Sequence, residues 1–444
     1  MPALDQRAME GQFMHPLPRI AFSFCLSSLI CFSSLSIAFA KPDQVLREEA
    51  AAASYSPSYS CLAAATSPSV RVVACTIAID GKMVGGADLA AAYVNRGQGH
   101  RSAGDSSRAA ADFREAIRLL DGLGELSGAQ RLHRGIAHHA LGQSDRALAD
   151  YNAAIELDAR NALAYADRAI LRVAQQDPHG ALADLDRALN IVPDNPETLA
   201  LRAEVLAATG ENVRALTDLD RAIALAPSNP RLLTMRGVVM TRLDEPDQAL
   251  ENYRAALTFD ERHIEARVNR GALYALLGDN DKAIADLDIA LEIQPQNSVA
   301  AYNRGYAHFA KRDYERALVD YSAAIDANPR LGWAFTNRCL TRVILGRELP
   351  AALADCDQAL KLMPGHADTR ETRGFVHLKL GDNEIALKEY EDVLRENPGR
   401  PLSLWGRALA RARKGDTQGS AADRDAARAL LPKVEREFAA YGVR

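Results

Sequence analysis

Every 34 residues through most of this chain an arginine recurs: Arg134, Arg168, Arg202, Arg236, Arg270, Arg304 and Arg338. Arg96, Arg373 and Arg407 extend the series across small insertions. Sixteen residues after most of them stands an acid, as in Asp112, Asp150, Asp184, Asp218, Asp286, Asp320, Glu389 and Asp423. Asp355 follows Arg338 by seventeen, and Asn252 breaks the acidic column. The chemistry this pairing offers is charge-assisted hydrogen bonding, not catalysis. An unpaired charge on a packed helix face costs several kcal/mol (~3). A guanidinium fork matches a carboxylate on a neighbouring helix. The pattern predicts an ion-pair ladder, within or between repeats, with Arg134 and Asp150, Arg270 and Asp286, and Arg304 and Asp320 as representative rungs. The alternative is two solvated, unpaired columns.

Other reactive groups are sparse. His133, His138 and His139 form the densest histidine group, but their offsets do not share one helical face, so no metal site is expected. No nucleophile elbow, phosphate-binding loop or His-Glu-x-x-His motif occurs, and no pair of cysteines shows Cys-x-x-Cys spacing. We therefore expect no catalytic residue, no metal and no cofactor.

The elements that hold these columns follow from the same period. Gly135, Ala169, Ala203, Gly237, Gly271, Gly305 and Cys339 form a column of small residues. Ala147, Ala181, Ala215, Ala249, Ala283 and Ala317 form a second column, and Ala154, Ala188, Ala222, Ala256, Ala290 and Ala324 a third. Between the alanines stands a larger residue, such as Phe113, Tyr151, Leu185, Tyr253, Tyr321, Cys356 or Tyr390. Gly-Asp or similar pairs mark a turn within each unit, and Pro193, Pro227, Pro295 and Pro329 close units. The reading is two helices per unit and a core made by stacking.

These columns resemble the tetratricopeptide repeat, most closely over Ser298 to Pro329 (SVAAYNRGYAHFAKRDYERALVDYSAAIDANP). The resemblance implies an all-α fold, an α-solenoid winding as a right-handed superhelix of about ten helix-turn-helix units, spanning residues 90–434. It also implies protein or peptide binding in a groove lined by the first helix of each unit. One departure is systematic: the family's usual leucine before the small residue is arginine here. By register, Asn95, Asn269, Asn303 and Asn337 line the groove, where amides could hold a peptide backbone or could belong to the repeat itself. Val268 and Thr336 stand where the family's clamp for C-terminal carboxylates needs lysine. Tyr302, Tyr306, Phe309 and Trp333 concentrate aromatic surface, as a partner hot spot or as packing.

The N-terminus carries a different signal. Arg19 precedes an apolar, serine-interspersed stretch from Ile20 to Ala40, ending Ala38-Phe39-Ala40. Residues 1–40 read as a secretory signal peptide, with Met14 as an alternative start and an uncleaved membrane anchor as the alternative fate. Residues 41–60 read as a flexible linker, 61–89 as a divergent half-repeat cap, and 435–444 as the end of a capping helix. Export permits disulfides, and Cys61 with Cys75 would staple the cap. Cys339 and Cys356 sit in packing columns and are expected as buried thiols rather than a bridge. A net charge of −5 argues against nonspecific nucleic-acid binding. The expectation is a monomeric, exported bacterial scaffold, periplasmic or extracellular, that binds protein or peptide and does not insert in membrane after cleavage. The alternative is a self-associating component of the cell envelope.

Overall fold

The computed structural model describes residues 61–62, 68–440 and 442, so the segments read as signal peptide (1–40) and linker (41–60) lie outside the described residues. Those residues hold 22 α-helices and no strand. They divide between Asp244 and Glu245 into two compact units.

The N-terminal unit contains α1 (Pro68–Asp80), α2 (Gly86–Ser102), α3 (Ser106–Asp121), α4 (Gly128–Ala140), α5 (Ser144–Leu157), α6 (Ala162–Ala174), α7 (Pro178–Ile191), α8 (Pro196–Ala208), α9 (Asn212–Leu225) and α10 (Pro230–Arg242). The C-terminal unit contains α11 (Pro246–Phe259), α12 (Ile264–Leu276), α13 (Asn280–Ile293), α14 (Ser298–Ala310), α15 (Tyr314–Ala327), α16 (Gly332–Leu345), α17 (Leu349–Leu362), α18 (Ala367–Leu380), α19 (Asn383–Glu396), α20 (Pro401–Arg413), α21 (Thr417–Leu430) and α22 (Val434–Ala440).

Local sequence sets the helix ends. Asp105, Asn161, Asp177, Asn195, Asn297 and Asp313 cap helices by accepting a backbone N–H two or three residues into the first turn. Proline occupies the first turn of α7, α8, α10, α11, α17 and α20, where its missing N–H has no intrahelical role. The turn inside a repeat needs a left-handed residue: Gly210 has φ 87° and Gly381 has φ 88°. Gln176 and Arg312 take the same conformation at φ 63° and 61° without glycine's freedom, a local cost of about 1 kcal/mol each.

Each hairpin closes by setting a small residue against a large one. A Cβ added to Gly135 would lie 2.7 Å from the Tyr151 ring, and one added to Gly305 would lie 2.9 Å from Tyr321. The rings and the flanking alanines are fully buried. Burying each such large side chain is worth about 2 kcal/mol.

This geometry corrects the reading of Cys339 and Cys356. They occupy the small and large columns of one hairpin, the two columns that touch, so their Cα atoms lie 5.8 Å apart and the sulfurs form a disulfide. A second disulfide joins Cys61 to Cys75 in α1, whose buried face packs on α2. At the other end α22 buries Val434 and Phe438 against the last hairpins, with the Phe438 ring centroid 4.4 Å from that of Phe375 and the two planes tilted by 37°.

Stacking is asymmetric within each unit. In the N-terminal unit α2 packs on α4, α4 on α6 and α8 on α10, while the second helices of neighbouring hairpins make no comparable contact. In the C-terminal unit the same holds for α12 with α14, α16 with α18 and α18 with α20. The first helices therefore form the inner face of each stack.

Candidate functional site

The arginine column fixes how these inner helices dock. Arg134 grips Asp150 with Nε and Nη2 at 2.9 and 2.7 Å, and Arg270 grips Asp286 at 2.7 Å through both nitrogens. Arg304 grips Asp320 at 3.0 and 2.6 Å. The acids are nearly buried, 3–5% exposed, while the arginines keep some contact with water. Many arginines also use the third nitrogen, Nη1, to reach backward. Arg168 donates to Asn152, Arg202 to Asp186, Arg304 to Asp288 and Arg373 to Asp357, each at 2.7 or 2.8 Å. One guanidinium thus ties its own hairpin to the second helix of the preceding one. The hydrogen bond with Asp320 holds the Arg304 guanidinium above its ordinary pKa.

The asparagine column lies deeper than its register suggested. Asn269, Asn303 and Asn337 are 1, 0 and 1% exposed. Asn337 Nδ2 donates to the hydroxyls of Tyr302 at 3.2 Å and Tyr321 at 3.4 Å. Asn95 is partly exposed, and its Nδ2 donates to the Cys61 carbonyl at 3.0 Å. Asn337 and Asn95 are thus engaged within the chain. The physical reason is the column sixteen residues earlier: a buried phenol needs a partner, and Asn337 supplies it to Tyr321.

The aromatic group is mostly packing as well. Tyr302 is fully buried, and its ring centroid lies 5.9 Å from that of Tyr321. Phe309 is 6% exposed and meets Tyr314 edge-on at 5.3 Å. Tyr306 is 7% exposed, and burial pushes its phenol up to about 12. Trp333 keeps a partly open surface on α16 and stands edge-on to His366 at 4.4 Å. On the other unit Leu163, at the start of α6, is 59% exposed.

Register reasoning missed a polar group on the N-terminal unit's inner face. Asp167 stands in the asparagine column, and burial pushes its carboxyl up to about 7 against the pull of Arg101. Burial lowers the pKa of Arg101, and likewise that of His139, which feels the Arg101 charge. The signal was present as an acid in a column otherwise read for amides. Among the described residues no group of three or more His, Cys, Asp and Glu side chains could hold a metal ion, and no helix is long and apolar enough to cross a membrane.

Sequence profiles described as tetratricopeptide repeat match residues 94–162, 172–238, 242–298, 299–331 and 372–434, well over half of the chain. The chain belongs to the tetratricopeptide repeat family. No curated protein matches it. Its backbone is similar to that of the APC/C hetero-tetramer Cut9–Hcn1, with 14% identity, TM-score 0.51, and 85% of this chain and 83% of that chain covered. It is similar to the human IFIT1 dimer with m7Gppp-AAAA, with 15% identity, TM-score 0.52, and coverage of 88% and 94%. YrrB, described as a TPR protein with an unusual peptide-binding site, shares 27% identity over 41% of this chain and 95% of its own, at TM-score 0.33. At these levels the first two likenesses concern the fold.

Proposed function

We propose that this protein is an exported, non-catalytic scaffold that binds a peptide or protein segment along the inner face of its first helices. The observation that carries the reading is the asymmetric stacking. It leaves a preformed face of side chains whose backbone is already fixed by the arginine rungs, so little ordering is needed on binding. Export is supported by the leader-like stretch from Ile20 to Ala40 and by two disulfides, which persist in oxidising compartments. The human neighbour was captured with a capped RNA fragment, but here a net charge of −5, with arginines spent on carboxylates, favours a protein partner.

The test is affinity capture from the cell-envelope fraction with the purified protein, alongside Trp333→Ala and Leu163→Asp. Loss of the same partner from a variant that keeps its helicity and melting temperature supports the reading. Equal capture by all three proteins sinks it. A second reading, self-association, is favoured by the apolar surface at the N-terminal end, where Leu62, Val73, Ile77 and Met83 are 37, 45, 45 and 52% exposed. Light scattering at micromolar concentration distinguishes them: a monomer excludes it.

A further inference from the structure

The terminal hairpins of a stack expose faces that inner repeats bury, so each end needs a cover. In the C-terminal unit α22 supplies it by packing Val434 and Phe438 on the last hairpins. In the N-terminal unit the described residues supply none. Ala74, Cys75 and Ala78 of α1 pack toward α2. On the opposite side of α1, Val73 and Ile77 lie one turn apart and are each 45% exposed, and Met83 follows at 52%.

This stripe is peculiar to α1. Cys75 precedes Gly97 by 22 residues, as Phe113 precedes Gly135, so α1 is a second helix by register and Cys75 its large-column residue. Val73 and Ile77 stand two residues to either side of it. The same two positions hold Ala149 and Ala153 in α5 and Thr217 and Arg221 in α9. A convex position that is small or polar elsewhere is thus apolar and β-branched here.

The exit of the chain decides what can reach the stripe. Cys61 and Leu62 are helical. Cys61 is bonded to Cys75, with the Cα atoms 4.6 Å apart, and its carbonyl accepts Asn95 Nδ2 at 3.0 Å. Asn95 lies 34 residues on, one full repeat, so Cys61 is pinned in the row of first helices beside α1. The residues before the pin, 42–60, carry Val45, Leu46, Tyr55 and Tyr59. Tyr59 can stray only about 7 Å from Cys61, and Leu46 can reach up to ~50 Å. Tethering at one end gives such a segment a local concentration of order millimolar. Charge also matches: Arg71 and Lys82 outnumber Asp80 around the stripe, and Asp43, Glu48 and Glu49 outnumber Arg47 in the segment.

We propose that residues 42–60 of this chain fold back over Val73, Ile77 and Met83 as an intramolecular cover, with Leu46 as its anchor. The cover takes from solvent the surface that would otherwise favour self-association, and it leaves the inner face of the first helices untouched. What that inner face binds is a separate matter, so failure of the cover leaves the scaffold reading standing.

Trypsin reads the docked fraction at the Arg47–Glu48 bond, because cleavage follows the population of the open form. Three full-length proteins are compared: native, Leu46→Asp, and Val73→Asp with Ile77→Asp. Each rate is divided by that of a synthetic peptide of the same residues 42–53, which cancels the protease's own preference. The bond should be cut about tenfold more slowly in the native protein than in either variant, and equally so from nanomolar to micromolar protein. Leu46→Asp changes no residue of the described structure, so this arm holds even if the α1 variant folds poorly. Equal normalised rates in all three proteins overturn the cover, as does protection that survives either variant. Protection that appears only as light scattering reports a dimer also overturns it, because a second copy then occupies the stripe.

Discussion

The N-terminal and C-terminal units are built from the same hairpin, yet they finish its interior differently. Both clamp the hairpin with arginine on a buried acid, as Arg168 does on Asp184 and Arg304 on Asp320. The C-terminal unit partners more of its interior: Asn337 serves two phenols, Thr336 bonds Thr369 at 2.7 Å, and Cys339 is joined to Cys356, while the Tyr390 hydroxyl stays buried without a partner. The N-terminal unit leaves the Tyr151 hydroxyl buried without a partner and sets the acid Asp167 in the asparagine column. The difference teaches that the frame and the face are separable. One column of ion pairs fixes the geometry, and the columns beside it are free to vary in how fully their polar groups are partnered.

The largest effect should come from breaking the shared frame. Reversing one charge, in Asp320→Arg or Asp184→Arg, sets two cations together in a nearly buried place and should cost about 3 kcal/mol, somewhat less than a fully buried pair because the arginines touch water. Adding Arg304→Asp or Arg168→Asp should recover about half. Hydrogen exchange, read unit by unit, shows where the loss falls, because a solenoid destabilises locally. If a single reversal costs nothing in one unit, the frame is not common to both.

Next in size is the covalent difference. Cys339–Cys356 closes a seventeen-residue loop across one hairpin, which by chain entropy is worth about 3 kcal/mol. Mild reduction should therefore loosen α16 and α17 in the C-terminal unit. In the N-terminal unit the same treatment should affect α1 alone, since Cys61–Cys75 ties only the segment entering it. Loss of protection throughout the N-terminal unit would contradict the picture of a detachable cap.

A finer contrast lies in two equivalent tyrosines. Tyr321→Phe removes an acceptor from Asn337 and should cost about 1 kcal/mol. Tyr151→Phe removes a buried hydroxyl that has no partner, so it should be neutral or slightly stabilising. Equal costs, by chemical denaturation of each variant, would mean that the Tyr151 hydroxyl is satisfied after all.

The repeat was legible because it is encoded redundantly: glycine, alanine, arginine and proline columns all kept one register. The arginine–acid pairing was legible from the constant step of sixteen, but whether it joined one hairpin or two was not, because the same step leads forward to Asp320 and backward to Asp288 from Arg304. The Cys339–Cys356 bridge was hidden by treating each cysteine as a packed residue in its own column. The two columns face each other, and the Gly305–Tyr321 contact shows it. Asn269, Asn303 and Asn337 lie deeper than a groove position implies, because register locates a residue on a helix face but does not say whether the chain itself has claimed its amide, as the Tyr321 phenol does for Asn337. Asp167 was passed over because it is an acid in a column read for amides.

The smallest expected effect is also the one that isolates the N-terminal face. Burial raises the Asp167 carboxyl from its ordinary 3.8 to about 7, so the folded state holds this proton more tightly than the unfolded chain. The stability associated with it is fully present below about pH 4 and is lost as pH rises toward 7. Asp167→Asn cannot ionise, so it should gain on the native protein as pH rises, by about 1 kcal/mol more at pH 8 than at pH 5. Histidines in both units run the other way. Burial lowers His100 and His308, so their contribution is present above about pH 6.5 and lost as pH falls through their folded values. Those histidines are unchanged in Asp167→Asn and cancel in the difference between the two proteins. Urea melts of both at pH 5 and pH 8 give that difference directly. A gain independent of pH would show that Asp167 is as well hydrated as an ordinary surface acid, and the N-terminal face would then differ from the C-terminal one in composition alone.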